Sequence, residues 1–343
     1  MRGDRRQARM SAAPAGVASM PTEGEDVPRV ISARPSPADL IFRLILRGAG
    51  ITVLLITGSI LVFLIIQGLP ALRAEGLRFF TTSTLLYGSH QFGVAALLPD
   101  SVAIAVIALI IAVPLGLAAA LYISEYAPPG LRRPLIAVID LLAAIPSIVF
   151  ALWGFLYLMP RILGTDAWLS QHLGFIPFLH VKLPNTPQSY VGSTFVAGIV
   201  VAMMVIPIIV SLSRQAFSQA PQGEREAAYA LGATRWGMVR TVVLPFGRAG
   251  IIGSGMLGLG RALGETVAVS FILVPNTSFN PRVLESGGNS ITDEIATHIF
   301  DFGSTGISYL FATGLVLFAM TLVINSLAAI VISRSRSGAA TAD

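Results

Sequence analysis

Cysteine is absent from this chain of 343 residues, and lysine occurs only once, at Lys182. Without cysteine there is no disulfide framework, no thiolate metal site and no cysteine nucleophile. A Walker A loop needs a lysine after a glycine-rich turn, because that lysine reaches the phosphates of the nucleotide. Lys182 lies in the segment HVKLPN, which has no such turn. The chain is therefore not a P-loop ATPase, and nucleotide-driven work would need a partner.

Charge is also scarce: 12% of the residues are charged, 54% are hydrophobic, and the mean hydropathy is +0.75. A soluble domain carries roughly 25% charged residues, so the composition indicates a membrane domain. The net charge is +5 at pH 7, but the basic residues are neither clustered nor interleaved with aromatic ones. This pattern argues against nucleic acid as a partner. The scattered histidines have no ligand spacing, so we expect no metal site.

Six apolar runs reach the roughly 20 residues that a helix needs to cross a bilayer. They predict an all-α membrane protein whose spans cover about residues 47–68, 99–123, 135–159, 192–213, 250–274 and 307–332. Pro146 is expected to kink the third span. Residues 1–40 are rich in Arg, Ala, Pro, Ser and Glu, which predicts a disordered tail. Residues 41–343 then form one transmembrane domain.

The distribution of basic residues predicts the orientation of these spans, because arginine and lysine favour the cytoplasmic side. If both termini are cytoplasmic, seventeen basic residues fall in the inside segments. Five fall outside, namely Arg73, Arg78, Arg161, Lys182 and Arg282. We therefore predict a multi-pass protein with cytoplasmic termini and a cytoplasmic segment at about residues 214–249.

That cytoplasmic segment predicts two short helices joined at a glycine. Pro221 suits the first position of a helix, and good helix formers follow it as far as Leu231. Gly232 stands where a left-handed residue would end that helix. Thr234 is expected to cap a second helix that ends before Pro245.

The spacing of residues in this segment resembles a family motif. Glu226-Ala227-Ala228, then Gly232, then Val242 and Leu244-Pro245 are similar to the EAA loop of ABC importer permeases. The RALGET sequence at residues 261–266 is narrower and resembles the phosphate-uptake permeases, the PstC/PstA pair. Two further segments, SEYAPPGLRRPL and IPSIVFALWG, resemble the C-type subunit. The similarity extends from about residue 49 to residue 336.

The resemblance implies the type I importer permease fold, in which the EAA loop forms coupling helices that sit in a cleft of the cytoplasmic ATPase. The implied ATPase contacts are Glu226, Ala227, Ala228, Gly232, Leu244 and Pro245. The implied partners are a homologous PstA-like permease chain, two P-loop ATPase subunits that hold ATP, and an external phosphate-binding protein. The chain itself would bind no cofactor, and it would lie in the inner membrane of a prokaryote. Whether the second permease chain is a homologue or another copy stays open.

Arg261 and Glu265 are four residues apart in the fifth run, so a continuous helix would place them on one face. A central arginine in a span costs about 2.5–3.5 kcal/mol on insertion scales, and it faces a partner or a water-filled path. Two interpretations stay open. The pair is either an ion pair that locks helices, or part of a substrate path in which Arg261 meets phosphate, Glu265 orients it and Thr266 adds a hydroxyl. The RALGET resemblance favours the path.

Asp140 is expected inside the third span, near Pro146. An intramembrane carboxylate is a candidate for the substrate path. The alternative is a hydrated position near the cytoplasmic end of the span. Both stay open.

Small residues recur along the fifth run, where Gly250, Ser254, Gly258 and Ala262 form a stripe and Gly260 and Gly264 form a GxxxG pair. Such residues let membrane helices approach closely. A sliding contact between permease chains and plain tight packing fit this pattern equally well.

Together, the residues and the resemblance predict the membrane permease of an ATP-driven importer of inorganic phosphate. A permease for another oxyanion, such as sulfate or molybdate, is the alternative, and RALGET favours phosphate. An ion-coupled secondary carrier built on Arg261 and Glu265 has no need of an EAA loop. An intramembrane enzyme is disfavoured, because no HExxH motif is present and no histidine lies in an apolar run.

Overall fold

The computed structural model describes residues 37–86, 91–184, 186–276, 278–300 and 303–336. Internal contacts divide the chain into two units, Met1–Ile56 and Thr57–Asp343. In the first unit, the described residues 37–56 are helical with exposed side chains. The predicted tail at residues 1–36 lies outside the described residues, whereas residues 37–40 already belong to the first helix.

The described residues contain thirteen α-helices, some extended by short 3-10 or π turns. They are α1 (Pro37–Glu75), α2 (Arg78–Thr81), α3 (Leu98–Leu121), α4 (Pro129–Ala144), α5 (Ser147–Trp153), α6 (Met159–Leu173), α7 (Thr194–Ser218), α8 (Gln222–Ala230), α9 (Arg235–Met238), α10 (Leu244–Gly264), α11 (Val267–Ile272), α12 (Ile291–His298) and α13 (Ser304–Arg336). Two short strands, β1 (Leu85–Leu86) and β2 (Gln91–Phe92), pair antiparallel with Leu85 opposite Phe92.

Six stretches of helix are long and apolar enough to cross a membrane, which confirms the predicted number of spans. They are Pro37–Glu75, Val94–Tyr126, Ser147–Leu173, Thr194–Ser218, Arg235–Gly264 and Gly306–Ile330. The predicted runs at 47–68, 99–123, 192–213 and 307–332 overlap four of them. The third and fifth runs differ from the prediction.

The predicted span at residues 135–159 is divided at Pro146, where only a kink was expected. Helix α4 ends at Ala144, Ile145 is extended with φ −65° and ψ 128°, and α5 begins at Ser147. Pro146 lacks an N–H and disfavours helical backbone at the residue before it, so the helix breaks there. The spanning helix therefore starts at Ser147 instead, and it runs through a π turn, Gly154–Leu158, into α6.

Helices α3, α7 and α10 form the centre of the second unit, around buried residues such as Ile104, Val200 and Ala262. Small residues allow these helices to approach closely. A Cβ added to Gly198 of α7 would lie 2.6 Å from Cγ2 of Ile107 on α3. Lipid gives no hydrophobic reason for helices to associate, so close packing of this kind holds a membrane bundle together.

Two further buried clusters lie on either side of this centre. The Phe217 cluster joins the ends of α3 and α7 to α9 through Ala120, Ile123, Val210, Phe217, Ala220, Met238, Val239 and Val243. The Phe92 cluster joins α1, α2, α12 and α13 through residues that include Phe79, Phe92, Leu97, Ile291 and Tyr309.

Candidate functional site

The connection between α7 and α10 folds as the predicted pair of short helices, α8 and α9. The Oγ1 of Thr234 accepts a hydrogen bond from the N–H of Gly237 at 3.1 Å and so caps α9. Between the helices, Gly232 has φ +83°, in the left-handed region that glycine adopts without strain. No atom of the described residues lies within 4 Å of a Cβ added at Gly232. The elbow therefore requires glycine for its backbone conformation and not for space.

The surface of this elbow is exposed and partly apolar. Its exposed residues are Glu226, Ala227, Tyr229, Leu231, Gly232 and Trp236, which we call the elbow surface. Leu231 is 90% exposed and Trp236 is 55% exposed. Large exposed apolar side chains beside polar ones are typical of protein interfaces. Neither residue was predicted from the sequence to be a contact, although both are large apolar residues beside charged ones.

The second short helix does not end before Pro245, so that prediction is wrong. Helix α9 continues through a π turn, Val239–Val243, into α10, which makes the helix continuous from Arg235 to Gly264. The N–H of Leu244 bonds to the carbonyl of Val239, and Pro245 falls in the first turn of α10, where it needs no N–H. The elbow is thus joined to α10 without a loop.

Arg225, next to the EAA residues, anchors α8 to two other helices. Its guanidinium donates to both carboxylate oxygens of Glu125, at 2.9 and 2.8 Å. It also donates to the carbonyl of Ala220 at 3.2 Å and to the carbonyl of Phe217, in the last turn of α7. Glu125 lies in the π turn Tyr122–Tyr126 that follows α3. This ion pair could not be predicted from the sequence, because its partners are 100 residues apart.

The fifth apolar run is not one helix either. Arg261 and Glu265 were predicted to share a helix face, and this prediction is wrong. Helix α10 ends at Gly264, and Glu265 is extended with φ −73° and ψ 121°. The Oε1 of Glu265 accepts from the N–H of Ala268 at 3.4 Å, in the first turn of α11. The Thr292 hydroxyl donates to the Glu265 carbonyl at 2.8 Å. Glu265 therefore lies just before the second helix and accepts from its first turn, where a carboxylate is favoured, instead of continuing the first helix.

Arg261 lies in the last turn of α10, with its side chain exposed in this chain. Among the described residues, the ion pairs are Arg225–Glu125, Arg282–Glu285 and His298–Glu294. The ion pair that would lock Arg261 to Glu265 is therefore not formed within the part of the chain that the structure describes.

The surface around Arg261 is open. We call Gly253, Leu257, Gly260, Arg261 and Gly264 the open face of α10, because their spacing places them on one side of the helix. For its three glycines, no described atom lies within 4 Å of an added Cβ. The GxxxG pair is thus available to a second chain or to a water-filled path.

The stripe of Gly250, Ser254, Gly258 and Ala262 faces α7 instead. The hydroxyls of Ser254 and Ser213 are 2.9 Å apart. A Cβ added to Gly258 would lie 2.8 Å from Cγ1 of Val205. These contacts are within the chain, so the stripe serves tight packing of α10 on α7.

Thr266 is half-buried, and its Oγ1 donates to the carbonyl of Gly264 at 3.4 Å. Its carbonyl accepts from the Ser270 hydroxyl at 3.0 Å. The side chain therefore stabilises the break between α10 and α11, and a substrate contact through it stays a prediction.

Asp140 is not in one of the six helices long enough to cross a membrane, in contrast to its predicted place inside the third span. It lies on α4, which the break at Pro146 separates from α5, and its side chain is exposed. Leu135, Ile136 and Ile139 of α4 pack against the Phe217 cluster. The exposed Asp140 is compatible with the hydrated position.

Two carboxylates that were not predicted from the sequence to have a role, Asp293 and Glu294, are buried on α12. Burial raises the pKa of Asp293, and the Ser270 hydroxyl and the charge of His298 oppose this shift. Burial also raises the pKa of Glu294, whose Oε1 lies 3.3 Å from Nδ1 of His298. Their only signal in the sequence was the acidic segment TDE, which is typical of a solvated loop.

Comparison with known proteins places the chain among transport permeases. The family model described as binding-protein-dependent transport system inner membrane component matches residues 112–337. The chain is 39% identical over 318 residues to phosphate transport system permease protein PstC 2 of Mycobacterium tuberculosis, covering 90% of this chain and 97% of that protein. It is 36% identical over 307 residues to PstC of Xylella fastidiosa, covering 88% and 92%.

Solved structures show the same fold. A chain of the bacterial alginate ABC transporter, solved with an alginate pentasaccharide-bound periplasmic protein, matches with a TM-score of 0.53 and 20% identity, covering 85% of this chain and 93% of that one. A chain of the inward facing MetNI methionine ABC transporter matches with a TM-score of 0.50 and 15% identity, covering 69% and 93%. The described helices thus have the fold of an ABC importer permease.

Proposed function

The chain belongs to the family of binding-protein-dependent transport system inner membrane components, and from this premise we propose that it is the membrane-spanning permease subunit of an ATP-driven importer of inorganic phosphate. The observation that supports phosphate most directly is near end-to-end similarity to relatives named phosphate transport system permease proteins. No observation favours sulfate or molybdate.

Arg261 is the residue that we propose meets phosphate during passage. Its guanidinium is exposed in a helix that is apolar enough to span a membrane, and none of the described carboxylates pairs with it. A charge at such a position is costly unless it faces a partner or water. A planar guanidinium donates two parallel hydrogen bonds, which suits the oxygens of a tetrahedral oxyanion.

Glu265 and Thr266 have supporting roles in this proposal. The break that they stabilise ends α10 directly after Arg261, and the side chain of Glu265 is buried at 8% exposure. Glu265 thus fixes where the helix ends without neutralising the arginine. Asp140, exposed on α4, stays a predicted path residue.

The elbow surface is the proposed contact with the ATPase. The glycine elbow presents Leu231 and Trp236 beside Glu226 and Ala227, which gives apolar anchors with a polar rim. ATP would be held by two such ATPase subunits and not by this chain. A homologous second permease chain would cover the open face of α10, and an external phosphate-binding protein would deliver the substrate.

The proposed location is the inner membrane of a prokaryote, with the elbow and both termini in the cytoplasm. The absence of cysteine allows single cysteines to be introduced at exposed positions such as Gly223 and Gln188. A membrane-impermeant thiol reagent should label Gln188→Cys in intact cells and Gly223→Cys only after the membrane is opened. The reverse pattern would refute the orientation.

Uptake of labelled phosphate tests the proposed function. Cells that express the chain with its partner subunits should take up phosphate at the expense of ATP, and excess sulfate or molybdate should not compete. Gly232→Trp is the control, because a bulky residue in the left-handed elbow disturbs the proposed ATPase contact. Competition by sulfate would identify another oxyanion permease, and uptake driven by an ion gradient without ATP would identify a secondary carrier.

A further inference from the structure

Helix α8 has little apolar contact with the rest of the protein. None of its nine residues, all of which the structure describes, is buried. Ala228 alone among them packs against the Phe217 cluster, and only in part. The position of α8 therefore depends strongly on the ion pair between Arg225 and Glu125, whose side chains are 20% and 5% exposed. One guanidinium nitrogen, Nη1, donates to both oxygens of Glu125, while Nε and Nη2 donate to the carbonyls of Ala220 and Phe217, so the orientation of the guanidinium is fixed from three sides.

The turn that contains Glu125 also meets the second coupling helix. The guanidinium carbon of Arg235, the first residue of α9, lies 5.5 Å from the centre of the Tyr126 ring. Two consecutive residues at the end of α3 thus contact α8 and α9. A π turn such as Tyr122–Tyr126 is an unusual local structure that is often found at functional positions.

The opposite end of α3 is bonded to the segment that leads into α12. The carboxylate of Asp100 accepts from the N–H of Asn289 at 3.0 Å. The hydroxyl of Ser101 accepts from the N–H of Ile291 at 2.9 Å. Asp100 and Ser101 are 3% and 5% exposed, so these bonds are shielded from water.

That segment in turn contacts the residue that ends α10. Thr292, next to Ile291, donates to the carbonyl of Glu265. A chain of direct contacts therefore runs from α8 through Arg225 and Glu125, along α3, and through the residues before α12 to the break beside Arg261. At a rise of 1.5 Å per residue, α3 spans about 32 Å between Asp100 and its last residue, Leu121.

We infer that α3, which is continuous from Leu98 to Leu121, transmits movement of the coupling helix α8 to the segment Asn289–Ile291, and that Glu125 is the positioning residue that joins α8 to it. The inference rests on the proposed function. Helix α10 provides one connection from the elbow to Arg261, because it is continuous with α9. The Glu125–Arg225 pair provides a second connection, which runs from α8 along α3 and through the residues before α12 to the break between α10 and α11.

The test uses the complete transporter in lipid vesicles, with Glu125→Gln, Arg225→Met and the exchanged double variant Glu125→Arg/Arg225→Glu. The single variants should lower phosphate transport per ATP hydrolysed by about 2- to 30-fold, the usual range for residues that modulate coupling. The exchanged pair restores the ion pair but not the bonds from position 225 to the carbonyls of Ala220 and Phe217, so it should recover part of this ratio. Arg282→Gln is the matched control, because its ion pair with Glu285 lies outside this chain of contacts.

A label on α12 reports the movement itself. Ala296 is exposed, so a spin label on Ala296→Cys in this cysteine-free chain should change its spectrum when ATP is added to the wild-type background. Glu125→Gln should suppress that change while the complex stays assembled, and the exchanged pair should restore part of it.

The outcomes separate the inference from the proposed function. If the unmodified complex transports no phosphate, the proposed function fails. If it does transport phosphate, and Glu125→Gln keeps both the transport ratio and the spectral change, the inference is refuted. Loss of assembly in both single variants, with no recovery of the ratio in an assembled exchanged variant, would also refute it, because the pair would then be merely structural.

Discussion

Replacing Gly232 by alanine should destabilise α8 without creating a steric clash. Gly232 has φ +83°, and no described atom lies within 4 Å of an added Cβ. The cost is therefore the strain of a left-handed alanine, roughly 1–2 kcal/mol. Because α8 has no buried residue among those described, this cost should appear as local opening of the helix. This free energy corresponds to an increase of about 5- to 30-fold in the equilibrium constant for local opening of α8.

Hydrogen exchange of the α8 amides measures this effect. Exchange that proceeds through local opening should accelerate by about the same 5- to 30-fold in Gly232→Ala. Gly232→Asn should be milder, since asparagine tolerates the left-handed region better than alanine. Gly223→Ala is the matched control, because Gly223 is the second residue of α8 and has equally open space but no positive φ. It should not accelerate exchange, since alanine there meets neither strain nor a clash.

The reasoning is refuted if Gly232→Ala leaves α8 exchange unchanged, or if Gly232→Asn is as damaging as Gly232→Ala. In either case the left-handed elbow would not determine the stability of α8.

The packing and charge of other positions give two more predictions. Gly258→Val should destabilise the contact of α10 with α7 by roughly 1–3 kcal/mol, because its Cβ would lie 2.8 Å from Val205. Thermal unfolding in detergent should show this loss, and the open Gly253→Ala should not. Asp293→Asn should raise the melting temperature at about pH 8 but not near pH 4. Burial raises the pKa of Asp293 in the folded protein. The stability that the protonated side chain contributes is therefore complete below the usual carboxyl pKa, and it is lost as the pH rises through the raised pKa of the folded protein. Equal pH profiles for both proteins would contradict this account.

The parts of this fold that follow from local sequence were predicted well. Hydropathy alone determines how many helices cross the membrane, and the elbow at Gly232 and the cap at Thr234 depend on residues within a few positions of each other. These features need no knowledge of distant contacts.

Helix ends inside apolar runs were not predicted, for a physical reason. Hydropathy continues through Pro146 and Glu265, but the helices stop where a missing N–H or a capping carboxylate favours a break. The opposite error occurred at Pro245, where a π turn removed the need for a break.

The long-range contacts of the site were beyond prediction from sequence. Glu125 and Arg225 lie in different segments, and only the packing of α3 against α7 brings them together. The same applies to Thr292 and Glu265, which are 27 residues apart. Arg261 was found from its charge in an apolar run, but the sequence suggested a pairing with Glu265 that the described residues do not make.

Phosphate uptake by Arg261 variants tests the central claim most directly. Arg261→Gln and Arg261→Lys should both abolish uptake in assembled complexes, because neither supplies the planar fork. Arg248→Gln, an exposed arginine at the other end of α10, should retain it. The double variant Arg261→Leu/Glu265→Leu should stay inactive, since the two residues do not pair. Recovered phosphate uptake in that double variant would show that Arg261 only locks the structure, and it would contradict the account.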